Sequence, residues 1–103
     1  MVPACTIPAQ VTGSCVQKDA TTGAVKACAV YWGSAFTPAT LMTACSATLV
    51  LGQNACPSQG SVGACETTSG PTALANYFYS APDASPANQA QCNSNANHVW
   101  CAP

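Results

Sequence analysis

Eight cysteines constrain this chain more than any other feature of its sequence. They are spread over all 103 residues, and at least eight residues separate each one from the next: Cys5, Cys15, Cys28, Cys45, Cys56, Cys65, Cys92 and Cys101. No C-x-x-C pair is present, which disfavours zinc ribbons, c-type haem sites and thioredoxin-like chemistry. An even number of well-separated cysteines predicts four disulfides in an oxidising compartment, either extracellular or at the cell surface.

The alternative is a cytosolic protein with eight free thiols, which is the rarer outcome for cysteines spaced in this way. We expect that a signal peptide has been removed, or that this sequence begins after it. The chain is rich in alanine, which buries little apolar surface per side chain. Each disulfide typically adds about 2–4 kcal/mol of stability. We therefore expect the disulfides to supply much of the net stability.

Charge is the second unusual feature. Two lysines and three acidic residues make only 5% of the chain charged, with a net charge of −1, whereas a typical soluble domain has roughly 25% charged residues. Two cations cannot neutralise a phosphate track or bind an anionic membrane surface, so nucleic acid and membrane surfaces are excluded as main partners. The longest aliphatic run, Leu49 to Leu51, is far too short to span a bilayer.

A weak internal repeat organises the sequence. Three segments recur at an offset of about 46–51 residues, namely 4–5 with 55–56, 12–15 with 62–65, and 29–35 with 75–81. In this alignment Leu74 occupies the place of Cys28. We interpret residues 1–103 as one disulfide-stapled domain made of two repeats, at about 4–54 and 55–100.

Each repeat predicts two strands followed by a helix. The first strand runs through the Gly-x-Cys segment, and the second covers roughly residues 24–32 or 73–79. Thr37-Pro38 and Ser85-Pro86 each indicate a helix start, with an N-cap residue followed by proline at the first helical position. A spacing of four residues predicts the sheet-facing stripe of the first helix: Leu41, Cys45 and Leu49. The predicted fold class is α+β, a small disulfide-rich ββα-ββα domain whose four-stranded antiparallel sheet carries both helices on one face.

The second strand of each repeat has a face that we expect to be buried. Cys28, Val30 and Trp32 share one side of the strand because side chains alternate along it. The repeat alignment places Leu74 and Phe78 on the equivalent face of the second unit.

The repeat narrows the possible disulfide pairings without fixing them. If equivalent cysteines bond equivalently, one scheme is Cys45–Cys56, Cys92–Cys101, Cys15–Cys28 and Cys5–Cys65. The rival scheme is Cys5–Cys15, Cys56–Cys65, Cys28–Cys45 and Cys92–Cys101. We favour the first scheme.

The motif order is Gly-x-Cys, then Cys-x-x-Tyr-x-Gly at residues 28–33, then Cys45, Cys56-Pro57 and a second Gly-x-Cys ending at Cys65. This order resembles the short cysteine-rich repeats of some bacterial secreted and envelope proteins. The resemblance covers most of the chain and implies a secreted repeat module with no assigned enzymatic activity. The second unit departs from the pattern, with Leu74 in place of the cysteine and Tyr79 in place of the glycine.

Catalytic and metal-binding patterns are not evident in the sequence. His98 is the only histidine, and we interpret it as a surface residue. Asp19, Glu66 and Asp83 are widely spaced, and we interpret them as solvated loop charges. No nucleophile elbow, calcium loop or phosphate loop accompanies these residues. The sequence predicts a protein that is not an enzyme and that has no catalytic residue, cofactor site or metal site.

Aromatic residues offer the strongest candidate surface. By strand alternation Tyr31, Tyr77 and Tyr79 face away from Trp32 and Phe78, and we predict that these tyrosines form an exposed contact strip. The alternative is that helices or a neighbouring subunit cover them.

Low net charge favours association between copies, because it leaves little repulsion between them. The sequence therefore predicts a secreted structural protein that associates with itself or with another extracellular protein, as a subunit of a fibre, tube or surface coat. The alternative is a small secreted binding module. As a protease inhibitor it would use Lys18 or Lys26, and as a carbohydrate-binding or ice-binding protein it would use its aromatic or Thr-rich surface.

Overall fold

A six-stranded sheet with every neighbouring pair antiparallel forms the centre of the computed structural model, which describes residues 2–103. The elements in chain order are β1 (Gly13–Lys18), β2 (Val25–Tyr31), α1 (Pro38–Ala44), β3 (Thr48–Leu51), β4 (Gly63–Ser69), β5 (Thr72–Phe78), a 3-10 turn (Ala81–Ala84), α2 (Pro86–Ser94) and β6 (His98–Cys101). The predicted fold class, a small disulfide-rich α+β domain with an antiparallel sheet, is confirmed.

The strand order across the sheet is β3-β1-β2-β5-β4-β6, so β2 and β5 lie in the middle and β3 and β6 lie at the edges. The prediction of four strands was wrong, because each helix is followed by a further strand. Leu49 was assigned to the stripe of the first helix, but α1 ends at Ala44 and Leu49 pairs with Cys15 in the sheet. A segment as short as Thr48–Leu51 has no alternation long enough to identify a strand.

Both helices begin where the sequence predicts. The Thr37 hydroxyl accepts a hydrogen bond from the Thr40 N–H, and the Thr40 hydroxyl accepts one from the Thr37 N–H, which completes a capping box. The Ser85 hydroxyl accepts from the Asn88 N–H at the start of α2. In α1 a single side chain, Leu41, is buried against the sheet.

The two faces of the sheet are packed against different parts of the chain. One face, which we call the core face, carries a row of directly paired residues: Val16, Cys28, Tyr77, Ala64 and Cys101. The other, which we call the helix face, carries the row Leu49, Cys15, Ala29, Asn76, Cys65 and Trp100. Cys15 and Cys65 are bonded to Cys45 and Cys92, so both helices are anchored to the helix face.

The main hydrophobic core lies on the core face, beneath two segments without regular structure. We call them the N-terminal strap (residues 3–12) and the middle strap (residues 52–62). Val11 from the first strap and Cys56 from the second belong to the buried cluster formed with the core-face residues. The Ser14 hydroxyl fixes the middle strap by donating to the Gln53 carbonyl and accepting from the Ala55 N–H, at 2.9 Å in both cases.

The predicted buried face of β2 is confirmed, because Cys28 and Val30 are buried and Trp32 packs against their cluster. The predicted equivalents in β5 are wrong. Leu74 pairs with Tyr31 on the helix face, and Tyr77 pairs with Cys28 on the core face. The sequence alignment had slipped by one residue in this strand, and such a slip moves every side chain to the opposite face.

All eight cysteines are in disulfides, as predicted, but neither predicted pairing scheme is correct. The four bonds are Cys5–Cys101, Cys15–Cys45, Cys28–Cys56 and Cys65–Cys92. Two of them tie the helix region of each half to the first strand of that half. The other two fasten the straps to the core face. The four disulfides are consistent with an oxidising, extracellular environment.

Candidate functional site

The three tyrosines predicted to form a contact strip lie in different environments. Tyr77 is only 4% exposed, on the core face, and its hydroxyl accepts a hydrogen bond from the Asn54 amide. Tyr79 is half-buried beside it and donates to the Pro57 carbonyl at 2.8 Å. Tyr31 lies on the opposite face, where it packs against Phe36. The predicted strip was therefore wrong as a single surface, because the middle strap covers two of its members.

Burial changes the acidity of two of these phenols. It raises the pKa of Tyr79 to about 12, and the neighbouring Tyr77 adds a smaller electrostatic contribution in the same direction. Burial also raises the pKa of Tyr31 above its ordinary value. Both groups consequently hold their protons even more firmly than an exposed tyrosine.

The acidic residues and the histidine do not form a cluster. Glu66 was predicted to be a solvated loop charge, but it lies in β4, is 7% exposed and accepts hydrogen bonds from Thr6. Asp19 is exposed at the β1–β2 turn, where the N–H groups of Thr22 and Thr21 lower its pKa. One His98 ring nitrogen lies 2.8 Å from the Ala96 carbonyl. No hydrogen bond among residues 2–103 joins two of these titratable groups.

One carboxylate approaches two cysteines. The ligand atoms of Glu66, Cys5 and Cys101 lie within 4.8 Å of one another. Both sulfur atoms are used in the Cys5–Cys101 disulfide. A disulfide sulfur is not a thiolate, and thiolates are the form in which cysteine binds metal. This group is therefore a structural contact and not a metal centre.

Two open cavities lie next to each other on the helix face of the sheet. A cavity of about 410 Å³ lies beside α2, and its floor includes Asn76, Phe78 and Trp100. A second cavity, of about 440 Å³, lies over β1, β2 and β5 and shares Asn76 and Phe78 with the first. The two cavities are therefore adjacent, and we call them together the helix-face groove. Sequence analysis missed it because its lining residues come from distant parts of the chain.

A stacked aromatic pair forms part of this groove. The rings of Phe78 and Trp100 lie 5.5 Å apart at an interplanar angle of 14°. Gly63 makes room for the pair, because a Cβ atom at this position would overlap the Trp100 indole. Its φ of 152° is also a conformation that favours glycine. Gly63 pairs directly with Phe78 across β4 and β5, and this glycine was the one signal in the sequence that could have indicated the aromatic stack.

The two edges of the sheet carry exposed apolar side chains. At the β3 edge, Leu51 is 46% exposed and Met42 on the adjacent α1 is 68% exposed. At the other edge, Val99 in β6 is also 46% exposed. The chain beyond β6 is partly covered, because Ala4 in the N-terminal strap bridges in parallel to Ala102. The β3 edge has no such covering strand among the described residues.

Within residues 2–103, no helix has the length and apolar character needed to cross a membrane. No family model, curated protein or solved structure matches this chain. The resemblance to bacterial cysteine-rich repeats therefore stays a prediction.

Proposed function

We propose that this is a secreted, non-enzymatic structural protein whose copies associate through the edges of the sheet to build an extracellular fibre, tube or surface coat. The observation that carries the proposal is the β3 edge, Thr48–Leu51. It is open, it contains no charged residue, its own Leu51 is exposed, and the exposed Met42 lies nearby on α1.

Edge strands present unpaired backbone N–H and C=O groups that can pair with another chain. Many monomeric proteins protect such strands with lysine, proline, a bulge or a covering segment. The sequence of β3, TLVL, offers neither lysine nor proline. Backbone pairing at this edge would fix the orientation of the partner copy. Burial of Leu51 and Met42 in the contact would add apolar attraction.

The positions of the charges support the same proposal. Three of the five charged residues, Lys18, Asp19 and Lys26, lie at or near the β1–β2 turn, and none of them lies in the edge strand β3 or β6. Glu66 is buried, and Asp83 lies on the 3-10 turn. Little electrostatic repulsion therefore opposes contact between two edges.

The arrangement of the halves suggests how copies join. We propose that the chain consists of two related units, about 4–54 and 55–100, each of which contributes one edge strand to the common sheet. Contact between β3 of one copy and β6 of the next then continues the sheet head to tail, and a contact of this kind forms open filaments unless its rotation closes a ring.

Light scattering after size exclusion tests the edge directly. The variant Leu51→Lys places a charge at the β3 edge and should shift the protein towards the monomer, because the contact would bury an unpaired ammonium group. Thr21→Lys adds the same charge at the exposed β1–β2 turn and should leave association unchanged. Equal effects of the two variants would overturn the assignment of the contact to β3.

A further inference from the structure

We propose that the helix-face groove binds a neutral oligosaccharide, whose pyranose rings lie against the aromatic pair and whose hydroxyl groups bond to the surrounding amides. This inference goes beyond the proposed self-association and involves a different surface. It depends on the shape of the groove, the chemistry of its lining and the absence of cations from that lining.

The aromatic pair gives the ligand an apolar contact. Phe78 is half-exposed, Trp100 is buried, and their rings are nearly parallel, so that Phe78 supplies the accessible part of an aromatic platform for which Gly63 makes room. The C–H-rich face of a pyranose with equatorial hydroxyl groups is flat and apolar. It is therefore complementary to an aromatic face, whereas the rim of hydroxyl groups points outward.

Planar polar side chains surround the platform. Asn76 projects from the middle of the sheet, and Gln91 projects from α2. Both are exposed, and neither side chain has a hydrogen-bond partner among residues 2–103. The Asn88 amide donates to the Pro82 carbonyl, which leaves its oxygen free to accept. Each amide combines donors with an acceptor, as recognition of hydroxyl groups requires, because a hydroxyl both donates and accepts.

The charge of the groove selects against other ligands. Asp83 is the only charged residue in the lining of either cavity, and no described cation lies there. A phosphorylated or carboxylated ligand therefore finds no counter-charge and is repelled by Asp83. A neutral hydroxyl group, in contrast, can donate a hydrogen bond to the Asp83 carboxylate.

The size and openness of the groove favour a chain over a single sugar. Each cavity lies within the usual volume range of ligand sites, roughly 300–1,000 Å³. Because the two cavities are adjacent at Asn76 and Phe78, a ligand of several sugar units can contact residues of both, whereas a single sugar can contact only one of them.

The test uses cellotetraose and chitotetraose as neutral probes and tetragalacturonate as the charged one. Affinity is measured by isothermal titration calorimetry on the full chain, both wild type and Leu51→Lys, so that the result does not depend on self-association. The location of binding is measured by NMR of the side-chain amides. We expect saturable binding of a neutral probe, shifts at the Asn76 and Gln91 amides, and weaker binding of tetragalacturonate.

Matched variants separate the contributions of the groove. Asn76→Ala should weaken binding about 3- to 10-fold through the loss of amide hydrogen bonds. Phe78→Leu keeps an apolar side chain but removes the ring, and it should weaken binding by about the same factor. Gln10→Ala removes an exposed amide outside the groove and should leave affinity unchanged. Absence of binding of both neutral probes, binding without shifts at Asn76 and Gln91, or equally tight binding of tetragalacturonate would each overturn the inference.

Discussion

The carboxylate of Glu66 fixes the N-terminal strap to the sheet by accepting hydrogen bonds from both the backbone N–H and the hydroxyl of Thr6, 60 residues earlier in the chain. The Thr6 nitrogen lies 2.9 Å from the Oε2 atom of Glu66. Immediately beside this contact, the Cys5–Cys101 disulfide joins the same strap to β6. A covalent bond and a nearly buried carboxylate therefore hold the strap at adjacent positions.

This relationship predicts a clear difference between two substitutions of Glu66. Glu66→Ala removes the hydrogen bonds that the N–H and hydroxyl of Thr6 donate to a charged acceptor, and it should lower the free energy of unfolding by about 1–3 kcal/mol. Glu66→Gln should retain most of the stability, because the amide can accept from the N–H and donate to the hydroxyl oxygen. Urea unfolding measures both values. An equal loss in the two variants would contradict the hydrogen-bonding role and indicate a role for the charge.

Truncation of two adjacent residues on α1 should have very different effects on the free energy of unfolding. Leu41 is fully buried and lies over Gly13 of β1, whereas Met42 is exposed to solvent. Leu41→Ala should cost about 2–5 kcal/mol through lost burial and a residual cavity. Met42→Ala should change the free energy of unfolding of the monomer by less than about 0.5 kcal/mol. Thermal or urea unfolding of the two variants checks the packing of α1, and similar losses would contradict it.

The disulfides should contribute unequally to stability. Cys5–Cys101 spans 96 residues of sequence, and Cys65–Cys92 spans 27. In the chain-entropy model, the longer loop restricts the unfolded chain more, by about 1 kcal/mol. Replacing both Cys5 and Cys101 by alanine should therefore cost more than replacing Cys65 and Cys92. Unfolding of the two double variants provides the comparison, and the reverse order would contradict the chain-entropy argument.

Tyr79 makes stability depend on alkaline pH. Its pKa is raised to about 12 in the folded chain, mainly by burial and then by Tyr77, from an ordinary value of 10.0. Between these values the unfolded chain has lost the proton and the folded chain keeps it. The stabilisation is therefore fully present below about pH 10 and is lost as the pH rises towards 12. Urea unfolding at about pH 9 and about pH 11 should show a larger loss for wild type than for Tyr79→Phe. Equal losses would show that Tyr79 is not responsible.

Local features of the fold follow from the sequence. The helix starts at Thr37 and Ser85 depend on neighbouring residues only, and both are predicted correctly. The buried face of β2, with Cys28 and Val30, follows from alternation along one strand. Complete oxidation of the cysteines follows from their number and spacing.

Features that depend on strand register or on long-range contacts could not be predicted from the sequence. The face of Tyr77 depends on a one-residue choice of alignment in β5. The burial of Glu66 depends on the N-terminal strap, which reaches it from the start of the chain. The groove brings Asn76 and Trp100 together only because β5, β4 and β6 are neighbours in the sheet. The predicted disulfide pairings were wrong for the same reason, because which cysteines meet depends on the order and register of the strands in the completed fold.

Sedimentation velocity of the wild-type chain over a range of protein concentrations, at low and at high salt, tests the central claim of self-association most directly. If the chain associates with itself, the sedimentation coefficient rises with protein concentration in both conditions. Added salt should not dissolve the assembly, because the contact is formed by backbone pairing and apolar side chains and not by ion pairs. A single monomeric species at every concentration and at both salt levels would contradict the account.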